Sequence, residues 1–591
     1  MIDKAFISLF ITGMSIELSH VGAGLVDGMM VGSFLGPDAL AAEGIAHPIY
    51  SIIGILSGML FVGMQVCCAQ ELGRGRLKKV SEVFSITVYV GTILSVIMTV
   101  LTVMFSGKLA ILLGATGKAA DIAQMASEYI SGIGIGIPAI VLTAIFGSAL
   151  QLDNSHRIVV MGAVIEIVTD IIFDVAAVYF NWGIFGMGLA TSIAAYANLL
   201  YMWMAHFSKK SRNLYFVRPE ITPEEFMKML GNGTDKACVR LANTLRPVIV
   251  NRMIILYGGT AAMTALSAQN SYSGFLNALS FGIASAVSVL TSLFYGEINE
   301  DGIREVVSFK HKMIACVCGL ISILVIVLRK PVASFYINEA GSIFDMVCFS
   351  FVMLALQLPI RALIDSRIKY LQGIQRLLNM NILIFAARFI VVVVTAFICG
   401  KLFGVYGILA SCAVSDSVTL LLVYVYYMIR SGKFIPSRKD FLNLPEEFYP
   451  NPGDIISLDI RNHEEASLAA EQLMLFAKGH GFDKKTSLHA SLTLQELADN
   501  IIEHGFTKKQ LQDNMIDFRA VYKTGKLVII IRDNCPKYDV TAKIAEVNAE
   551  GSDPGRNIGI RIISKTASNI KYLNTLEMNN IIFELNNTVF G

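Results

Sequence analysis

A chain of 591 residues that is 54% hydrophobic and 16% charged, with a mean hydropathy of +0.59, is too apolar for an ordinary soluble protein, whose charged share lies near about 25%. A net charge of +2 without a dense basic run gives no support to a nucleic-acid partner. The nine cysteines sit mostly in apolar runs; Cys67-Cys68 and Cys316-x-Cys318 lack the paired spacing of a zinc site and read as small packing residues.

The segment from Met1 to Lys4 carries one lysine, and no small-residue cleavage site follows its apolar stretch, which predicts a first span that is retained. A hydrocarbon core of about 30 Å takes roughly 20 helical residues. Stretches of that length lie near 5–34, 44–69, 83–106, 128–150, 158–180, 183–206, 236–257, 261–294, 311–328, 343–366, 380–400 and 404–429. About twelve transmembrane helices are expected. Alternate loops divide the lysines and arginines sixteen to five: Arg74, Arg76, Arg157, Lys209, Arg304 and Arg367 belong to the rich set, Lys108, Lys118, Arg329, Lys330 and Lys401 form the poor one. Because basic loops stay inside, both termini are expected in the cytoplasm of a cell (inner) membrane of bacterial type.

The two halves echo one another at an offset between 221 and 224. Val26-Asp27-Gly28-Met29 matches Val250-Asn251-Arg252-Met253, Gly36-Pro37-Asp38-Ala39 matches Gly259-Thr260-Ala261-Ala262, Gly73 matches Gly296, Gln151 matches Gln372, and Gly183-Ile184-Phe185-Gly186 matches Gly404-Val405-Tyr406-Gly407. A constant offset across a whole half predicts two six-helix bundles related by pseudo-symmetry, 1–210 and 211–430, with a substrate cavity between them.

Three segments carry a family resemblance. Val26-Asp27 with Val31-Gly32, Leu35-Gly36 and Ala39 to Ala42 resembles the first-helix signature of the multidrug and toxic compound extrusion (MATE) transporters. Gly63-Met64-Gln65 through Gln70-Glu71-Leu72-Gly73-Arg74-Gly75 resembles the end of their second helix, and Asn181 to Thr191 their link into helix six. Lipid and polysaccharide flippases of the same superfamily share the architecture. The resemblance implies an antiporter exporting small organic, cationic compounds against Na+ or H+.

An ionisable group in hydrocarbon is a candidate site. The first span holds Glu17, His20 and Asp27; the fifth holds Glu166, Asp170 and Asp174. Asp170 and Asp174, four apart, share one helical face. Two acidic helices facing one cavity would bind Na+ through oxygen ligands or share a proton; the structural alternative, a capped or paired carboxylate, is favoured for Glu17 and Glu166. By resemblance, Asp27 holds the family's first-helix acidic position, and Asp170 or Asp174 supplies its partner. Asn251 stands where the second half would repeat Asp27, so coupling is expected in the first bundle. Arg361 and Asp365 are spaced for an i,i+4 ion pair. The several arginines there, Arg240, Arg246 and Arg252 among them, would also fit an anionic or zwitterionic substrate.

A polar, proline-punctuated linker, 431–453, precedes a domain of soluble composition, 454–591. Strands are expected at 454–460, 515–522, 526–533, 570–573 and 581–585, and helices at 464–478, 487–504 and 558–567, an α/β sandwich. Glu496, Asn500 and His504, four apart, are expected on one helical face; a carboxylate base beside an amide oxygen that can hold Mg²⁺ suits nucleotide phosphoryl chemistry. The run Glu-Leu-Ala-Asp-Asn-Ile-Ile-Glu-His-Gly, 496–505, resembles the N-box of the GHKL (Bergerat-fold) ATPases, in the form of anti-sigma-factor serine kinases. That resemblance implies Glu496 as general base, Asn500 as Mg²⁺ ligand, Asp533 as acceptor from an adenine amino group, and the segment with Gly555 and Gly559 as a phosphate cradle. Two glycines expected after Asp533 are Cys535 and Lys537 here.

The expectation is therefore an all-α polytopic exporter with an ATP-binding regulatory tail and a cytoplasmic regulatory protein as partner. It acts on a small molecule, sits in a lipid bilayer and takes no nucleic acid. The alternatives are a membrane-anchored serine kinase or partner-switching module with the transporter part as sensor, and a flippase. No P-loop is present that would power transport by ATP.

Overall fold

A computed structural model describes residues 2–113, 122–208, 214–334, 341–445, 448, 453–506, 515–523, 525–536, 539–541, 568–576 and 578–586. The chain divides into two compact units, one of Phe6–Leu444 and one of Met1–Ala5 with Pro445–Gly591.

The larger unit is helical throughout. Its elements are α1 (Ile2–Met30), α2 (Pro37–Gly73), α3 (Leu77–Met104), the short α4 (Ser106–Leu112), the pair α5 (Ala123–Ile135) and α6 (Ile137–Leu152), α7 (His156–Tyr179) and α8 (Gly183–Ser208). After the short α9 (Pro223–Asn232) come α10 (Thr234–Gly296), α11 (Glu300–Met313), α12 (Gly319–Ser334), α13 (Ser342–Gly373), α14 (Leu377–Phe385) and α15 (Val391–Ser431). By length and composition, eight helices among the described residues can cross a membrane, nine if the bent pair α5–α6 counts as one span. The outer faces carry exposed apolar side chains, such as Leu320, Ile323 and Val327 of α12 and Val96, Val100 and Leu101 of α3. In water such a belt would be costly; in hydrocarbon it is not.

Two of the long helices are broken. Gly259 (φ 61°, ψ −150°) interrupts α10 and Gly404 (φ 61°, ψ −138°) interrupts α15. Left-handed backbone recurs in register across the halves: Gly36 with Gly259, Gly75 with Ile298, Asn154 with Gln375, and Gly183 with Gly404. Each pair is 221 or 223 residues apart, the offset of the sequence repeat. Side-chain bonding repeats too: Gln65 Nε2 donates to Gln151 Oε1 at 3.2 Å, and Ser288 Oγ donates to Gln372 Oε1 at 3.2 Å.

The halves meet along α1 and α2 against α10. At Gly73 an added Cβ would lie 2.1 Å from the Leu293 carbonyl oxygen, and at Gly296 one would lie 2.1 Å from that of Gln70. Two backbones are thus in direct contact where only glycine fits. Gly13 against Ser285, Gly282 against Phe10 and Gly63 against Met229 continue this seam. Toward the other end, Gly24, Gly28, Gly36 and Gly259 meet nothing within 4 Å, and Met29, Phe34 and Leu256 are exposed. The halves are closed at one end and splayed at the end of the left-handed breaks Gly36 and Gly259.

Between them α9 begins with a capping box: Glu225 N–H donates to Thr222 Oγ1 (3.2 Å), Thr222 N–H donates to Glu225 Oε2 (3.1 Å), and Pro223 opens the first turn. Lys79 Nζ bonds Glu225 at 3.0 Å, which with Thr222 holds that carboxyl below its ordinary range. This fixes the linker to α3.

In the residues expected to be linker, α16 (Arg438–Leu442) carries its own capping box at Ser437, and the Leu442 carbonyl accepts from Tyr370 at 2.6 Å. The smaller unit is a five-stranded antiparallel sheet of order β1-β2-β3-β5-β4, with β1 (Ile455–Ile460), β2 (Ile516–Lys523), β3 (Lys526–Asp533), β4 (Ser568–Thr575) and β5 (Met578–Asn586). Alternate residues Leu527, Ile529 and Ile531 of β3 and Ile581, Phe583 and Leu585 of β5 share a core with α17 (His463–Gly479) and α18 (Lys484–Asn500) through Ala466, Leu473, Leu494 and Leu497. Each fully buried Leu or Phe there contributes about 1.5–3 kcal/mol. The helix expected at 558–567 lies outside the described residues.

Candidate functional site

Asp27 projects from α1, and Asp170 and Asp174 from successive turns of α7. One carboxylate oxygen from each lies within 4.8 Å of those from the other two. Asp170 is 3% exposed and Asp174 1%. Asp27 Oδ1, Asp170 Oδ1 and Asp174 Oδ2 are buried without a hydrogen-bond partner among the described residues. Three carboxylates so close, in a medium of low polarity, repel strongly unless protons or a cation neutralise them. Oxygen ligands converging from two helices are the donor set of a hard cation. Glu43 of α2 lies within electrostatic reach of Asp27 and Asp174.

The structure thus brings together all three carboxylates, where the sequence left Asp170 and Asp174 as alternatives. Glu166 accepts from Asn198 Nδ2 at 2.7 Å, the paired structural role expected of it. Glu43, 6% exposed, was passed over; a carboxylate inside an apolar run was the signal that could have found it. Tyr50 and Tyr129 hydroxyls meet at 3.3 Å beside this group.

In the second half the buried carboxylates Asp416, Asp365 and Asp235 are neutralised by cations. Arg361 Nη1 of α13 donates to both oxygens of Asp416 at 3.2 Å, and Gln357 Nε2 adds a bond of 2.7 Å. Asp365 lies 3.7 Å from Arg361 and is also paired with Arg388. Lys369 bonds Asp235 at 2.7 Å. The expected Arg361–Asp365 pair is therefore one edge of a four-residue network. Asp416, fully buried, was missed because its partner lies on another helix, with no local spacing to mark it.

In the smaller unit Glu496 and Asn500 face one another: Asn500 Nδ2 donates to Glu496 Oε1 at 3.2 Å and to the Glu496 carbonyl at 2.8 Å. His504 does not continue that face, because α18 ends at Asn500 and a π-helical turn, Ile501–Gly505, follows; the wider turn shifts everything after it. Asp533 ends β3, 3% exposed. Its Oδ1 accepts from Cys535 N–H and from Asn579 Nδ2, each at 2.8 Å. Burial pushes the Asp533 carboxyl above its ordinary value, and the bonds from Asn579 and Cys535 oppose that shift. Tyr572 Oη donates to Asn579 Oδ1 at 2.6 Å and orients the amide. Gly555 and Gly559 lie outside the described residues.

Two pseudo-symmetric helical halves, an apolar belt and buried carboxylates on one side define a polytopic membrane protein of the carrier type. A family model described as MatE matches residues 16–176 and 237–398, more than half of the chain and one block in each half; the chain belongs to that family. It is 22% identical over 352 residues to the "Probable multidrug resistance protein NorM" of Listeria monocytogenes serovar 1/2a, covering 57% of this chain and 74% of that protein. It is 24% identical over 234 residues to the "Multidrug export protein MepA" of Staphylococcus saprophyticus, covering 39% and 51%. Among solved structures, an outward-facing conformation of a multidrug resistance MATE family transporter superposes with a TM-score of 0.67 at 20% identity, over 73% of this chain and 96% of that one. At that identity the likeness speaks for the fold.

Proposed function

We propose that the larger unit is a secondary active exporter of small organic compounds, as the relatives' names suggest, with Na+ or H+ exchanged at Asp27, Asp170 and Asp174. The observation that carries this reading is the convergence of three buried carboxylates with unpartnered oxygens. The family's twelve-span plan is the reading we adopt: α7, rich in carboxylates, and the part of α10 before Gly259, rich in arginine, are more polar than the other spans yet have spanning length, and Gly404 divides the run Leu377–Ser431 into two spans. On the side of the basic loops, the closed end and both termini are read as cytoplasmic. Transport then needs the ion to prefer one arrangement of the halves over the other, since only differential affinity moves such an equilibrium.

The smaller unit we read as a nucleotide-binding regulatory domain, with Glu496 as base, Asn500 as Mg²⁺ ligand and Asp533 as base-recognising acceptor. The paired Glu496–Asn500 and the Asn579-held Asp533 support it. A regulatory protein in the cytoplasm is the partner this reading implies.

The test is efflux by proteoliposomes under separate Na+ and pH gradients. One gradient should drive the wild type, which identifies the ion, and Asp27→Asn should fall to passive leak. Coupled transport unchanged in that variant would remove the carboxylate cluster from the mechanism.

A further inference from the structure

Lys236 and Arg240 stand one turn apart on α10, and Gly58 and Gly54 stand one turn apart on the facing stretch of α2. A Cβ at Gly58 would lie 2.8 Å from Lys236 Cβ and Cγ, and one at Gly54 would lie 3.0 Å from Arg240 Nη2. The two glycines make the room these long cationic side chains occupy. Lys236 Nζ is held over Phe281 of α10 and Phe61 of α2, 4.7 and 5.6 Å from the ring centroids, a contact that steadies an ammonium without neutralising it. The Arg240 residue is exposed. This is the seam where the two halves meet, α2 of the first against α10 of the second.

What separates these cations from those bound in the ion-pair network is pairing. Arg361, Arg388 and Lys369 all bond carboxylates. Among the described residues Lys236 and Arg240 have no carboxylate within ion-pairing distance; Asp235, itself bonded to Lys369, and Glu17 of α1 act on Lys236 only from farther away. An unpaired cation inside a membrane protein is expensive and marks a ligand path. Guanidinium and ammonium together suit a carboxylate, the first by its two-pronged donors and the second as a point charge.

We propose that Lys236 and Arg240 form a carboxylate-binding subsite at the closed end of the interlobe space. The compounds handled by this chain then carry a carboxylate, as zwitterions or anions, where family resemblance alone implies simple cations. The inference rests on the export reading for the location of the substrate path and departs from it in substrate charge.

Equilibrium binding by the purified full chain of two dyes that differ only at one group tests it: rhodamine 110, a free acid, and rhodamine 123, its methyl ester. Fluorescence polarisation should give a clear preference for the acid. Lys236→Gln and Arg240→Gln should each weaken the acid roughly tenfold while moving the ester by less than about twofold, and Lys236→Arg should retain the acid. Equal loss of both dyes would mean that the two residues only hold the helices together. Absence of any preference for the acid in the wild type would overturn the proposal. Binding is independent of coupling: acid preference without ion-driven transport would sink the export reading alone, and ion-driven transport without acid preference would sink this one alone.

Discussion

At the scale of single residues, buried carboxylates are held in two opposite ways. Asp416 and Asp365 are locked to guanidinium groups; Asp27, Asp170 and Asp174 are crowded together with no basic partner among the described residues, and Asp533 is buried against neutral amides. Removing one partner of a buried ion pair costs about 3–5 kcal/mol, so the first kind is a fastening, whereas the second is available for work. Asp533 gives a measurable case. An acid whose folded-state value is raised makes the folded unit bind more protons than the unfolded chain. Its contribution to stability therefore falls as pH rises from the ordinary carboxylate value through the raised one. In Asp533→Asn an amide oxygen can still accept both bonds made to Oδ1. Hydrogen exchange of the β3 and β5 amides at neutral pH should be as slow as in the wild type or slower, with a flatter pH dependence, while ATP–Mg²⁺ binding is lost. Faster exchange at neutral pH would mean that the ionised carboxylate is a structural requirement. The sequence marked Asp533 through its resemblance to the adenine acceptor of the GHKL ATPases. It could not mark Asn579, which comes from the neighbouring strand and pairs with Asp533 across the sheet.

At the scale of elements, most of the helical plan was legible because long apolar runs and glycine breaks are local signals. The repeat offset was legible too, and the backbone obeys it even where the residue does not: Ile298 and Gln375 adopt left-handed angles opposite Gly75 and Asn154. The π-helical turn after Asn500 was not legible, since nothing in the run Ile501–Gly505 distinguishes a wide turn from an α-helical one, and His504 was misplaced on that account. The Gly73–Gly296 contact is the element-scale feature most open to test. A methyl group at Gly296 would meet the Gln70 backbone, which cannot rotate away. Gly296→Ala should lower the melting point of the purified protein in detergent, the equivalent of about 1–3 kcal/mol of overpacking. Gly319→Ala, which meets nothing within 4 Å, should be neutral or stabilising by about 0.5–1 kcal/mol. Equal behaviour of the two variants would contradict the close crossing.

At the scale of the whole larger unit, the seam closes one end and leaves the other apart, an arrangement that export requires to be reversible. Gly13 and Ser285 offer a latch: a Cβ on Gly13 would lie 3.1 Å from Ser285 Cβ, near the about 3.5–4.5 Å that a disulfide takes. In a background without the nine native cysteines, Gly13→Cys with Ser285→Cys should cross-link readily under mild oxidation. Transport should stop when the link forms and return when it is reduced. Undiminished transport by the cross-linked protein would mean that the seam does not part during the cycle.

The one-sided placement of the free carboxylates has an electrical consequence. Under the exchange proposed here, one monovalent cation enters through the first bundle for each compound that leaves, and the second bundle, its carboxylates Asp416 and Asp365 already paired with Arg361 and Arg388, takes no second ion. If the compound is a zwitterion of no net charge, each turn of the cycle carries one elementary charge inward. The membrane voltage then works for the exporter directly, at about 2.3 kcal/mol per 100 mV, and a cell could drive the protein with its electrical gradient even where the chemical gradient of the ion is flat.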